Sequence, residues 1–274
     1  MRLVIHPSDA PRVATLKTSR PQSLLISGKK GIGLSTIARE IANNHVAAVL
    51  QPRNKKDEID EENGTITIEM IRRLYEQTRS KHTTDQVIII DDGDRMSRGA
   101  QAAFLKLLEE PNPSTYFIIT SHTPQNLALT IRSRVQHLQL QPITAEQTNE
   151  FIVGGGATED TKRRQLEFIA TGLPAELTRL LTNDTYFNQR AEIISDARDL
   201  LTATPYKKLL IINKYQTNRS KSLQLIDSSL MIARRSMSAR PQTELAAQLS
   251  QLLSVHERVS GNHSVRLQLA RVVL

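Results

Sequence analysis

Between residues 23 and 140, short apolar runs of β type alternate with stretches of helical spacing, and few folds accept that pattern. The runs are SLLIS at 23–27, VIII at 87–90, the segment 115–120 and a weaker HLQL at 137–140. Each is too short for a helix, and the first three are apolar on both faces, which predicts buried parallel strands. Helices are expected over 35–44, 68–79 and 97–110, the second with Ile68, Ile71, Leu74 and Tyr75 on one face. The expected class is α/β, a doubly wound parallel sheet with helices on both faces.

The pattern changes after Pro142. Thr144 and Gln147 have capping-box spacing ahead of Phe151, Ile152 and Val153, and from there every periodic segment is helical. Three domains follow as the expectation: residues 1–141 as a nucleotide-binding-like α/β domain, 142–187 as a small helical lid, and 188–274 as a helical collar with oligomer contacts. The run Arg53–Asn63 is charged and poor in apolar residues, and is expected to be an exposed loop.

Composition removes several kinds of function. With no cysteine in 274 residues, disulfides, thiolate metal sites and cysteine nucleophiles are excluded, and no metal site is expected. The opening has no basic-then-apolar leader pattern, and no stretch reaches about 18 apolar residues, so a soluble cytoplasmic protein is expected. Lys plus Arg exceed Asp plus Glu by 36 to 28, a net charge of +8 that favours acidic partners, nucleic acid first. Aromatic residues make up only 4% and tryptophan is absent, so DNA would be met through phosphates and not by base stacking.

Two motifs carry chemistry. Directly after the first predicted strand comes Gly28-Lys29-Lys30-Gly31-Ile32-Gly33-Leu34-Ser35-Thr36, which fits a phosphate-binding loop at Gly28, Gly33 and Ser35. Glycines let backbone N–H groups curl round phosphates, and the helix beginning at Ser35 and Thr36 adds positive potential. Leu34 stands where the pattern has the lysine that reaches the terminal phosphates. Lys29 or Lys30 reaching back is one alternative, and a glycine-rich turn with no nucleotide role is another. Further on, Val87–Ile90 ends in Asp91 and Asp92, carboxylates at the strand edge suited to a nucleotide-bound Mg²⁺. The candidate nucleotide-binding set is therefore Gly28, Gly31, Gly33, Ser35, Thr36, Asp91 and Asp92, a degenerate site expected to bind ATP and Mg²⁺ weakly or not at all, with no cofactor required.

From Asp91 to Arg134 the likeness becomes specific. An acid-ending strand, a helix closing in Leu105-Lys106-Leu107-Leu108-Glu109-Glu110-Pro111, a strand leading to Ser121 and His122, and the pair Ser133-Arg134 follow one another at family separations. This resembles the bacterial DNA polymerase III clamp loader family of AAA+ proteins, on the delta-prime side. The resemblance implies that Arg134 reaches in trans into the ATP site of a neighbouring subunit, and that Ser121 and His122 stand at the sensor position. It further implies gamma/tau-like ATPase subunits and a delta-like clamp-opening subunit as partners, and primer-template DNA met through the assembled complex. In Thr171–Leu177, where ATP-hydrolysing relatives carry a second sensor arginine, this chain has Pro174 and Ala175. The four-cysteine zinc module of many relatives is absent. A non-hydrolysing subunit is the expectation, with an ATP-hydrolysing gamma/tau-like loader or related AAA+ ATPase as the alternative.

Overall fold

The computed structural model describes residues 3–43, 45–61, 63–78, 84–157, 159–239, 243–261 and 263–272. The chain divides into two compact units, Met1–Thr182 and Asn183–Leu274.

In the first unit the elements run α1 (Ala10–Thr18), β1 (Ser23–Ser27), α2 (Leu34–Ala42), β2 (Val46–Leu50), α3 (Ile68–Thr78), β3 (Gln86–Ile90), α4 (Arg98–Glu109), β4 (Thr115–Ser121), α5 (Leu129–Arg132) and β5 (Gln136–Gln139). The five strands form one parallel sheet in the order β2-β3-β4-β1-β5. Successive strand residues feed opposite faces. Leu24, Ile26, Val87, Ile89 and Ile118 enter one core with Ile37 and Ile41 of α2, whereas Leu25, Ile88, Ile90, Phe117 and Ile119 enter the other with Phe104 and Leu107 of α4. A sheet buried on both faces needs the continuous apolar runs seen in the sequence.

Three elements depart from the sequence expectation. The sheet has a fifth strand, β2, whose residues are only partly buried and include two alanines, so its apolar signal is faint. Helix α1 buries just Val13 and Leu16, too few positions to show a period. Tyr75 is exposed, so α3 rests on Ile71 and Leu74 without it. The charged run from Arg53 holds no helix or strand among its described residues, only isolated bridges from Arg53 to Ile59 and Thr65.

Helices α6 (Ala145–Gly154), α7 (Asp160–Ala170) and α8 (Pro174–Thr182) complete this unit. The capping box forms: Gln147 N–H donates to Thr144 Oγ1 at 3.1 Å, and Thr144 N–H donates to Gln147 Oε1 at 3.0 Å.

The second unit is helical throughout its described elements: α9 (Asp184–Thr202), α10 (Pro205–Tyr215), α11 (Arg219–Ala239), α12 (Thr243–Ser260) and α13 (Val265–Ala270). Its core gathers Ala197, Leu200, Ile212, Leu225, Ile226 and Val259 from the apolar stripes of these helices. Among the described residues no helix is long and apolar enough to cross a membrane.

Candidate nucleotide site and arginine edge

Parallel register decides what meets at the carboxyl edge of the sheet. Strand β4 lies between β1 and β3, with Ile119 level with Ile90 and Ser121 level with Ser27. One residue further along, Thr120 comes beside Asp91, and His122 beside Gly28. The hydrogen bonds follow. Thr120 Oγ1 donates to Asp91 Oδ1 at 2.7 Å, and Ser35 Oγ, at the start of α2, donates to the same oxygen at 2.6 Å. Gln51 Nε2 approaches Asp91 Oδ2 at 3.4 Å. Ser35 and Asp91, 56 positions apart, are thus joined directly.

Thr120 is fully buried at this strand end. Ser121 Oγ accepts the Thr123 N–H at 3.2 Å. His122 turns back across the loop, where Nδ1 meets the Gly28 carbonyl at 2.9 Å and so carries the proton, while Nε2 faces Asp92 Oδ1 at 3.6 Å. Asp92 sits in left-handed backbone at φ 50°, its N–H donating to Thr120 Oγ1 at 2.9 Å. Burial pushes its carboxyl above the usual carboxylate range; His122 opposes this, and the neighbouring Asp91 and Asp94 add to it.

The glycine loop keeps its shape, with Gly31 at φ 89° and Gly33 at φ 96° as the N-cap of α2. The Gly31 carbonyl accepts two N–H groups from the first turn of α8, Ala175 at 2.9 Å and Glu176 at 3.0 Å. A Cβ on Gly31 would lie 2.8 Å from the Glu176 Cβ, so glycine is required here by the approach of α8 alone. Leu34 is 3% exposed and packs with Leu24, Ile26, Ile37 and Leu138. Thr36 faces outward, as do Lys29 and Lys30.

Arg134 lies on a different edge, in the turn after α5. It is 40% exposed. Its Nη2 pairs with Glu109 Oε1 at 2.9 Å, and its Nη1 donates to the Thr130 carbonyl at 3.1 Å. Leu129, at the start of the same short helix, is 71% exposed. Among the described residues no group of three or more His, Cys, Asp or Glu side chains is arranged to hold a metal ion.

A family model described as DNA polymerase III, delta subunit, matches residues 13–144. The delta-prime subunit of Bacillus subtilis DNA polymerase III is 32% identical over 111 residues, 40% of this chain and 32% of that one. The gamma subunit of Buchnera aphidicola DNA polymerase III is 26% identical over 216 residues, 70% of this chain and 59% of that one. Residues 13–144 thus resemble the bacterial clamp-loader AAA+ family, and its delta-prime members are among the similar proteins. The fold agrees with that of a gamma subunit-related protein from Thermotoga maritima, at a TM-score of 0.55 over 96% of both chains with 16% identity. The chain spans between 32% and 59% of the length of the two curated proteins just described.

Proposed function

We propose that this chain is a delta-prime-like clamp loader subunit that does not hydrolyse ATP and supplies Arg134 to the ATP site of a neighbouring gamma/tau-like subunit. The observation that carries this reading is the contrast between two positions. Leu34 occupies the phosphate-reaching lysine position and is packed into the core, whereas Arg134 stands at the surface with an exposed leucine beside it. A leucine offers nothing to charge developing on a transferring phosphoryl group, and a guanidinium offers a permanent planar cation.

Ser35, Asp91 and Thr120 retain the hydroxyl and carboxylate chemistry that holds a nucleotide-bound Mg²⁺. The residues do not fit a nucleotide that is hydrolysed in cis. Position 34 brings no cation, and the turn at Pro174 and Ala175 brings none. In this reading the work of the chain is to complete a partner's site within a ring that also holds a delta-like clamp-opening subunit, and to help place a sliding clamp on primer-template DNA. The excess of basic residues supports phosphate contacts that weaken with salt.

The intact Ser35–Asp91–Thr120 set favours a second reading, a gamma/tau-like ATPase that borrows Lys29 or Lys30. One experiment separates the two: ATP turnover by the purified chain alone and by a reconstituted loader containing it, with clamp loading on primed DNA measured in parallel. Background turnover alone, with clamp-loading turnover only in the complex, is expected. Turnover by the isolated chain supports the ATPase reading and overturns the first.

A further inference from the structure

Glu109, at the leucine-rich helix end, has no part in the nucleotide chemistry described above, and its carboxylate pairs with Arg134. We propose that Glu109 is a positioning residue for Arg134, holding the guanidinium in the orientation in which it meets a neighbouring subunit's phosphates; this rests on the reading of Arg134 as acting in trans.

Arg134 stands in a turn, and an exposed arginine there has many rotamers of similar energy. Two acceptors on different elements narrow that choice. Glu109 is the last residue of α4, a helix anchored from its other side by Phe104, Leu107 and Leu108 and prevented by Pro111 from extending. The second acceptor, the Thr130 carbonyl, belongs to α5. Nη2 at 2.9 Å from the first and Nη1 at 3.1 Å from the second fix the plane of the guanidinium. Three of its five N–H donors remain for a phosphate. Both side chains of the ion pair are well exposed, 40% and 49%, so the pair adds little to folding stability. Its consequence is orientation, and it appears only when the arginine is in use.

Glu109→Ala, Glu109→Gln, Arg134→Ala and the double variant Glu109→Ala/Arg134→Ala are compared in the reconstituted loader, with ATP kcat and KM read alongside the melting temperature of each chain. Glu109→Ala is expected to lower kcat by about twofold to fivefold, the scale of one lost exposed ion pair realised in the transition state. KM and melting temperature stay unchanged. Glu109→Gln keeps an acceptor oxygen and restores most of kcat, and Glu109→Ala has no further effect once Arg134 is alanine. If the two substitutions multiply, or Glu109→Ala equals the unsubstituted complex while Arg134→Ala is impaired, Glu109 has no positioning role although the trans reading stands. A silent Arg134→Ala in an assembled complex overturns both.

Discussion

At position 34 the side chain has a packing role. A lysine there would have to leave the core to reach a phosphate, whereas Leu34 contributes its full apolar surface to the interior between α2 and the sheet. Leu34→Ala is therefore expected to cost about 2–4 kcal/mol of stability, the range for truncating a buried leucine, measured by chemical denaturation. A cost near zero would mean that Leu34 is not a core residue. At the neighbouring carboxylates the same scale shows why some of the site was legible and some was not. Ser35, Asp91 and Arg134 stand out because each belongs to a local motif with its own spacing. Thr120 and the turn of His122 onto Gly28 depend on the register of β4 between β1 and β3, which no local pattern encodes.

Elements with strong periodicity or continuous apolarity were readable, and weak ones were not. β1, β3 and β4 are nearly or wholly buried along their length and announce themselves, while β2 is half covered and α1 contributes two core residues. The contact of α8 with the glycine loop is likewise tertiary, since it joins Gly31 to residues more than a hundred positions later. In the second unit, α11 and α12 are joined by His256 Nε2 and Asp227 Oδ1 at 3.1 Å. The hydrogen bond from His256 to the Asp227 carboxylate raises the imidazole pKa above its ordinary value, although partial burial pulls the other way. A raised folded-state pKa makes this contribution fully present below about pH 6.5, the unfolded value, and removes it as pH rises through the folded one. His256→Gln should cost about 0.5 kcal/mol at pH 6, after screening of this part-exposed pair, and less at pH 8. Denaturation at the two pH values checks this, and an equal cost at both would remove the ion pair from the account.

For the whole molecule, the proposal is that catalytic capacity has been divided between subunits. The chain's own loop retains glycine geometry and a hydroxyl-to-carboxylate bridge, but the leucine in its core leaves that loop without the cation a transferring phosphoryl group needs. The arginine that a partner's nucleotide would need is exposed and held by two acceptors. The most direct measurement is kcat for ATP in a reconstituted loader carrying Arg134→Ala, with assembly verified by sedimentation. The account predicts an intact complex whose kcat falls by about a hundredfold or more, the low end of the effect of removing an arginine finger or comparable transition-state donor. An assembled complex that turns over ATP as fast as the unsubstituted one would contradict it.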